Sequence, residues 1–437
     1  MNINNKRLLY IVACIAVCLV LLGYYHDRRT CWGSNDFDTY YFAGELVVKG
    51  ANLYTHEAFR TTLSPYLYLP FFAIFILPLT FLHIRIASMI WYMLNVGALI
   101  GTFYVSGKLI AGENSIKQVF FSRPHLLKII SGVFIIAIWA DNMSLAQVDF
   151  MLLFLILLSL FAYDKKRPFL SGVVLAFATV IKLYPAYFLL YFIAKKRFKA
   201  VIGFVVGLAL FVLLVPWMIL GQDNFNNSMK SWKEMKADTY LQKCGRTARE
   251  NYGRFDSQFK PSNQSFSSVI TRYFMGDDKV VAKWKTEDHH YQIYWPHTLK
   301  PWQVDIAIKV LLLAMFLATY LIIDYKLVYT DRIYISLEYS VIFLSMILFF
   351  PVVQTHMFAA VAFPIITFNY IKIKTREKWV YNNRIIDYGV LLALAIYALQ
   401  AFKYMKVLGA GCFNAVLLWL VFMGMLVKEK KKKQQKE

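Results

Sequence analysis

The stretch that decides the fold is an acidic, aromatic segment followed by apolar runs. It reads GSNDFDTYYFAGELVVKGANLY at 33–54, YLYLPFFAIFILPLTFL at 66–82 and WYMLN at 91–95. The apolar runs have the composition of segments that cross a hydrocarbon core, which needs about 20 helical residues. The acidic segment follows another apolar run, so the sequence places its carboxylates Asp36 and Asp38 at a membrane surface.

A short helix is predicted within this segment. Ser34, Asn35 or Asp36 can cap its start, and the pair Lys49-Gly50 is typical of a helix end. The helix over 39–48 is rich in aromatic and aliphatic residues, which suits a helix lying in the headgroup layer. The residues expected on one face are Tyr40, Ala43, Gly44 and Val47.

Composition sets the class of the whole chain. It has 437 residues, of which 59% are hydrophobic and 17% charged, and its mean hydropathy is +0.48. This predicts a polytopic helical membrane protein. The predicted spans cover 8–25, 66–82, 86–110, 126–140, 146–163, 169–194, 200–220, 303–323, 335–350, 355–371, 386–402 and 407–427.

The charge of the chain is strongly basic, with 48 Lys and Arg against 26 Asp and Glu. These residues lie in short clusters beside apolar runs, as in the tail KEKKKKQQKE. Such clusters orient a membrane protein and favour anionic lipid, so nucleic acid is excluded as a partner. The most economical topology has both termini inside and the loops 26–65 and 221–302 outside. It divides the chain into an N-terminal transmembrane module (1–220), a large extracytoplasmic loop (221–302) and C-terminal transmembrane helices with a basic cytoplasmic tail (303–437).

Two features of the sequence stay open. The stretch 169–194 lies between basic clusters and fits either one span or a hairpin with Lys182 and Pro185 at its tip. The positive-inside rule favours the hairpin, whereas an odd number of spans before residue 221 favours the single helix. Cys31 and Cys244 both lie in polar loops and could pair, although two such cysteines are weak evidence for a disulfide.

A set of motif residues follows in a fixed order along most of the chain. They are Asp36, Tyr40, Tyr41, Ala43, Lys49, Gly50, Leu53, Tyr54, Tyr68, Pro70, Pro78, Trp91, Asn95, Gln147, Lys182, Pro185, Asn263, Gln264, Ser265, Arg272, His356 and Pro364. In a chain with several predicted membrane spans, motifs in this order make residues 30–370, approximately, resemble the glycosyltransferases of family 87. That family usually has Gly and Asn where this chain has Ala146 and Asp149. The role of the 146–149 turn is therefore open, because Asp149 could touch either a sugar hydroxyl or a lysine.

The resemblance implies an all-α polytopic membrane protein of the GT-C type, with about 11–13 transmembrane helices of about 20 residues each. It also implies an outer-face helix in the first loop and one large outer loop. The implied reaction moves a hexose, mannose above all, from a polyprenyl-phosphate sugar to a glycan or glycolipid hydroxyl. The implied location is the extracytoplasmic side of the plasma or inner membrane, with membrane lipids as the remaining partners.

No cofactor is expected from this resemblance. The sugar leaves its lipid phosphate directly, so no nucleotide-binding domain is needed, and the sequence has no glycine-rich fingerprint of one. A divalent ion shared by Asp36 and Asp38 stays open, although two acids at i and i+2 do not face each other on a helix.

Such a transfer needs a carboxylate to take the acceptor's proton, and cations or hydrogen-bond donors to stabilise the departing phosphate. The resemblance implies that Asp36 is the base. It assigns substrate binding to Asp38, Tyr40, Gln147, Asp149, Lys182, Asn263, Gln264, Arg272 and His356.

Each of these residues also has a purely structural interpretation. Asp36 could cap its helix, Lys182 could reach the interface from a helix end, and His356 could be a satisfied interfacial histidine. Gln147 could hydrogen-bond between helices, Arg272 could pair with Asp277 or Asp278, and Asn263-Gln264-Ser265 could cap a helix.

Competing functions are a polysaccharide polymerase or ligase, a flippase or transporter of lipid-linked sugars, and a membrane scaffold. A transporter should show repeated halves with matching broken helices, and the sequence shows none. A scaffold leaves the acid at position 36 unexplained. Convergence of Asp36, Lys182 and His356 at one membrane face would favour the enzyme.

Overall fold

The structure is a computed structural model that describes residues 35–55, 63–112, 126–244, 262–274, 284–286, 289–291, 299–323, 331–374 and 384–434. The predicted first span, Leu8–Tyr25, lies outside the described residues. So does Cys31, and the pairing of this residue with Cys244 therefore stays untested.

Within these residues the chain is helical apart from one small hairpin. The α-helices are α1 (Asp36–Val48), α2 (Pro70–Thr80), α3 (Ile84–Ala111), α4 (Leu126–Ser144), α5 (Asp149–Asp164), α6 (Pro168–Ile181), α7 (Tyr187–Ala194), α8 (Phe198–Leu208), α9 (Val215–Leu220), α10 (Gln222–Cys244), α11 (Phe266–Phe274), α12 (Pro301–Ile322), α13 (Arg332–Phe349), α14 (Ala362–Lys374), α15 (Arg384–Ala398), α16 (Lys403–Val407) and α17 (Ala410–Gln434). A π-helical segment, Ala209–Leu214, joins α8 to α9, and 3₁₀ turns cover Tyr184–Ala186, Thr355–Val361 and Leu399–Ala401. Strands β1 (Trp284–Thr286) and β2 (His289–Tyr291) pair antiparallel, with Lys285 opposite His290.

Several of these helices are long and apolar enough to cross a membrane. Five qualify among the described residues: Ile84–Ala111, Phe198–Leu220, Trp302–Ile322, Arg332–Phe349 and Ala410–Lys432. Shorter apolar helices at Pro70–Thr80, Pro168–Ile181, Tyr184–Ala194 and Ile385–Ala401 pack among them. The predicted class, an all-α polytopic membrane protein, is confirmed, while the total of 11–13 spans stays a prediction.

The helix predicted between residues 39 and 48 begins earlier, at Asp36, because Asn35 is its N-cap. The Asn35 side chain accepts from the backbone N–H of Phe37, and the Asp38 carboxylate accepts from the backbone N–H of Asn35, which forms a capping box. At the other end Gly50 adopts φ 62°, the left-handed conformation that glycine adopts at least cost.

The face of α1 that the sequence predicts to be apolar is buried, and the burial extends to other faces. The predicted face, including Tyr40 and Ala43, is buried, but so are Tyr41 and Leu46 on other faces. Apolar residues of α1 therefore pack against α2 and α3. Phe37, for example, packs its ring 5.5 Å from that of Trp91 in α3.

The stretch that the sequence leaves open as one span or a hairpin is a hairpin. α6 stops at Lys182, which is extended (φ −137°, ψ 142°), and a 3₁₀ turn starts the return through α7. α6 and α8 run in the same direction, since Gly203 lies against Phe169 and Gly207, one turn on, against Val173. Because α7 joins two parallel helices, it must run the opposite way. Lys182 therefore sits at the tip, as the positive-inside rule favours.

The hairpin gives the bundle two distinct ends. We call the end with Lys182 and the start of α5 the site end. The other, the basic end, carries the turns Lys165–Arg167 and Lys195–Arg197, so both basic clusters lie on one side. In each turn the second lysine is left-handed, with φ 59° and 55°, so the same Lys-Lys-Arg sequence builds the same turn twice.

A buried ion pair fixes the basic end. Lys195 Nζ lies 2.7 Å from Glu338 on α13, and the Tyr191 hydroxyl donates to the same carboxylate at 3.0 Å. Both charged side chains are buried, so removing either would leave the other unpaired at a large cost in stability. This pair ties α7 to α13, far from the site end.

Candidate active site

The turn between α4 and α5 builds one wall of the site. The backbone N–H of Gln147 donates to Asn142 O at 2.9 Å and that of Ala146 to Met143 O at 3.0 Å, which closes α4 as a Schellman motif. Ala146 therefore takes φ 54°, a conformation that costs an alanine roughly 1 kcal/mol or more and a glycine little. The low cost of this conformation for glycine explains physically why the resemblance places a glycine at this position. The turn directs Gln147 towards α1 and Asp149 towards α6.

Asp36 contacts this turn directly. Its carboxylate accepts a hydrogen bond from Gln147 Nε2, and its backbone N–H donates to Leu145 O at 3.3 Å. The capping interpretation of Asp36 is not what the structure shows, since Asn35 performs that role. The Asp36 side chain is therefore available to the centre of the site.

The amide of Gln147 joins this carboxylate to a cation. Its Oε1 accepts from Lys182 Nζ at 3.1 Å and lies 3.4 Å from the Tyr40 hydroxyl. Because an ammonium group can only donate, the amide oxygen must face Lys182 and the amide nitrogen must face Asp36. Gln147 thus hydrogen-bonds between helices, as its structural interpretation predicted. It also fixes the positions of Asp36 and Lys182 relative to each other.

Asp149 is the buried centre of a second group of contacts. Lys182 Nζ lies 2.9 and 3.1 Å from its two oxygens, and Tyr184 donates to Oδ1 at 3.0 Å. His356 Nδ1 lies 2.6 Å from Oδ2. Of the two partners that the sequence left open for Asp149, the structure shows the lysine.

The second nitrogen of His356 also faces an acceptor. Its Nε2 lies 2.7 Å from Gln354 Oε1. Each ring nitrogen of His356 therefore lies within hydrogen-bond distance of a side-chain oxygen, that of Asp149 or that of Gln354. The site thus combines two carboxylates, Asp36 and Asp149, with a lysine and a histidine.

These charges tune the predicted base. Burial raises the pKa of the Asp36 carboxyl, while the Coulombic interactions with His356 and Lys182 and the hydrogen bond from Gln147 offset part of the rise. A carboxylate with a raised pKa is a stronger base than an ordinary aspartate, which suits proton abstraction near neutral pH.

Asp38 and Tyr40 follow Asp36 along α1. The Tyr40 hydroxyl lies 2.8 Å from that of Tyr68, and both rings are enclosed by aromatic neighbours. Asp38 bonds the backbone of Asn35 and not the Asp36–Gln147 pair. Among the described residues, no group of three or more His, Cys, Asp or Glu side chains is placed to hold a metal ion.

Three of the residues assigned to substrate binding lie in a separate cluster. Arg272 donates to Val407 O at 3.1 Å and to Asn263 O at 2.8 Å, and the Gln264 side chain donates to Lys406 O at 2.7 Å. Their predicted contact with substrate stays a prediction. Asn263 itself is fully buried, and the acids proposed as partners of Arg272, Asp277 and Asp278, lie outside the described residues.

Sequence reasoning missed Tyr184 and Gln354 as site residues. Tyr184 sits inside the Lys182-x-x-Pro185 motif, and Gln354 lies two residues before His356. Each precedes or follows a recognised residue closely enough to share its turn, but a tyrosine or glutamine in an apolar stretch gives no signal of its own. Tyr68 was recognised in a motif but not assigned to the site.

Comparison with protein families gives one match. The sequence model of glycosyltransferase family 87 matches residues 66–351, which is more than half of the chain. The chain belongs to glycosyltransferase family 87. No curated protein and no solved structure matches it.

The match to family 87 covers part of the site. Gln147, Asp149 and Lys182 lie within the matched residues, whereas Asp36 precedes them by 30 residues and His356 follows them by five. The structure joins the two sets, since Gln147 contacts Asp36 and Asp149 contacts His356. A family 87 member is a membrane glycosyltransferase, and this assignment favours the enzyme over the transporter and the scaffold.

Proposed function

We propose that this glycosyltransferase moves a hexose, with mannose the first to test, from a polyprenyl-phosphate sugar to a hydroxyl of a glycan or glycolipid, with Asp36 as the general base. The observation that carries the proposal is that Asp36, Gln147, Lys182, Asp149 and His356 contact one another at the site end. The two residues furthest apart in this chain of contacts, Asp36 and His356, come from opposite ends of the sequence.

The chemistry follows from the charges. The acceptor oxygen attacks the anomeric carbon of the sugar, its proton passes to Asp36, and the bond from the sugar to the phosphate oxygen breaks. One negative charge thereby moves from Asp36 to the departing lipid phosphate. Within the described site, Lys182 as a cation and His356 as a hydrogen-bond donor can stabilise that charge as it develops. Gln147, which contacts both Asp36 and Lys182, holds the proposed base and the phosphate-binding lysine at a fixed separation.

An apolar groove beside the site supports a lipid-linked donor. It has a volume of about 330 Å³ and is lined by Leu183, Tyr184, Tyr187 and Leu190 of the hairpin and by Met346 and Phe349 of α13. Tyr184 belongs to both groove and site, because its hydroxyl donates to Asp149. A donor with its phosphate at Lys182 would place its first isoprene units in this groove.

Filling the groove should weaken the binding of long-chain donors only. Leu190→Trp is expected to raise the KM for a long polyprenyl-phosphate hexose about tenfold. Losing the burial of two methylene groups, at about 0.8 kcal/mol each, accounts for that factor. The KM for a ten-carbon citronellyl-phosphate hexose should change little. The matched control is Leu313→Trp on the exposed face of α12, where both KM values should stay at the parent level. An equal rise for both donors would contradict the placement of the chain.

The proposed side of the membrane is the extracytoplasmic one. Both Lys-Lys-Arg turns lie at the basic end, opposite to the site end, and basic residues beside spans are enriched on the cytoplasmic side. The site end, with Asp36 and Lys182, would then face outwards from the plasma or inner membrane.

A donor panel tests the proposed function. Purified protein in mixed micelles should transfer sugar from a polyprenyl-phosphate hexose, with the mannose donor tried first, to a glycolipid acceptor. It should show no turnover with a nucleotide sugar in the absence of lipid. The readout is radiolabelled product. Turnover with a nucleotide sugar alone, or none with any lipid-phosphate sugar in the panel, would overturn the proposal.

A further inference from the structure

We infer that the motif Asn263-Gln264-Ser265 is a positioning element that holds residues 351–353 and, through them, His356. The inference rests on the proposed function, in which His356 helps Lys182 to stabilise the departing phosphate. In this inference the motif does not contact the substrate but fixes the backbone next to His356.

The contacts between the motif and this segment are dense. Asn263 Oδ1 accepts from the backbone N–H of Val353 at 3.0 Å, and Asn263 Nδ2 donates to Pro351 O at 3.3 Å. The Ser265 hydroxyl donates to the same Pro351 oxygen at 2.9 Å. The backbone N–H of Gln264 donates to Val353 O at 2.6 Å. Asn263 and Ser265 are fully buried, so these bonds are shielded from water.

The held segment needs such partners. α13 ends at Phe349 and the next 3₁₀ turn starts at Thr355, so residues 351–353 lie between the two without regular structure. Their backbone groups have no partners within a helix, and those of the buried Val353 in particular must be satisfied from elsewhere. The motif supplies both an acceptor and donors. It thereby fixes the backbone that leads directly into Gln354 and His356, which bond each other at 2.7 Å.

The same helix has a second attachment that provides a control. At the far end of α11 the Tyr273 hydroxyl donates to Leu408 O at 3.0 Å, in the turn before α17. This bond also joins α11 to the bundle, but it does not involve residues 351–356. Asn263→Ala therefore removes bonds made just before the start of α11, whereas Tyr273→Phe removes a bond made near the end of the same helix.

Hydrogen exchange tests the inference without any assay of activity. In Asn263→Ala, backbone amides in a peptide covering 351–361 should exchange at least tenfold faster, because Val353 loses its acceptor. In Tyr273→Phe that peptide should exchange as in the parent, and only the peptide around 404–411 should change. Unchanged exchange at 351–361 in Asn263→Ala would overturn the inference. This measurement is independent of the donor, so it separates failure of the inference from failure of the proposed function.

A double-mutant cycle with His356→Gln then asks whether the motif acts through the histidine. Asn263→Ala should lower kcat/KM about tenfold in the parent, below the roughly hundredfold cost of a 1 Å misplacement. In the His356→Gln background the same change should cost less than twofold, while the shift in Tm is similar in both backgrounds. Equal losses of rate in both would mean that Asn263 acts independently of His356 and would overturn the inference. If Asn263→Ala fails to fold, Ser265→Ala is read in the same way; it removes the bond to Pro351 O and the bond that the Ser265 hydroxyl accepts from the backbone N–H of Ser268.

Discussion

Replacing Asp36 with asparagine is expected to lower the rate of sugar transfer about 10²–10⁴-fold, because an amide cannot accept the proton of the acceptor hydroxyl. The substitution keeps the size of the side chain and an oxygen that can accept from Gln147. It also leaves the N-cap intact, since the cap is Asn35. The measurement is kcat with a saturating lipid-phosphate donor.

The same substitution should not destabilise the protein. Burial raises the pKa of Asp36 above its unfolded value, so the stability it contributes is present below the unfolded pKa and lost as pH rises through the folded pKa. At neutral pH the ionised carboxylate is therefore a cost, and Asp36→Asn should have a Tm equal to or slightly above that of the parent. In the parent, the rate should fall on the acid side at a pH above the ordinary pKa of an aspartate. The residual activity of Asp36→Asn should not show this fall.

Asp38→Asn is the matched control for this prediction. Asp38 is two residues away on the same helix and bonds the backbone of Asn35, which an asparagine oxygen can also do. Its loss of rate should be much smaller than that of Asp36→Asn. If Asp36→Asn keeps more than about a tenth of the parent rate, less than the smallest loss expected for a base, then Asp36 is not the base.

Replacing Lys182 with methionine is expected to lower kcat about 10²–10³-fold, the size of effect seen when one group that stabilises developing negative charge is removed. Methionine fills a similar volume without the charge. The loss has two physical sources. The departing phosphate loses a cation, and Gln147 loses the donor that fixes the orientation of its amide towards Asp36.

Lys195→Met separates this effect from mere destabilisation. Lys195 also pairs with a buried carboxylate, that of Glu338, but at the basic end of the bundle. Both variants leave a buried acid without its lysine, so both should lower Tm. Only Lys182→Met should lower kcat per folded molecule, measured on material recovered as a monodisperse peak. Similar losses of kcat in the two variants would show that Lys182 acts through stability and not through the reaction.

Part of this protein can be predicted from its sequence because the relevant forces are local. Hydropathy over windows of about 20 residues determines the spans, since every backbone group in lipid must be satisfied within a helix. The polytopic all-α class, the spans that become α3 and α13, and the order of motif residues that resembles family 87 all follow from such local patterns. The start of α1 was less certain, because three adjacent residues can cap a helix and only the structure selects Asn35.

The sequence left open what depends on contacts between distant segments. Whether 169–194 is one span or a hairpin depends on how α6 packs against α8, and the close approach at Gly203 decides it. Asp36 lies 111 residues from Gln147, and Asp149 lies 207 residues from His356. Spacing along the chain restricts contacts only within a turn or two of one helix, so no pattern could predict that these residues meet.

The residues assigned from motifs also divide in a way that only packing explains. Asp36, Gln147, Asp149, Lys182 and His356 meet because four separate segments end at the same level of the bundle. Asn263, Gln264 and Arg272 belong to the same ordered set of motifs, yet their hydrogen bonds go to the backbone of neighbouring segments. The sequence by itself determined that this is a helical membrane protein with the residue types of a glycosyltransferase. The tertiary structure decided which of those residues share a site, because helix packing brings together polar groups that are far apart in the chain and that cannot stay unpaired when buried.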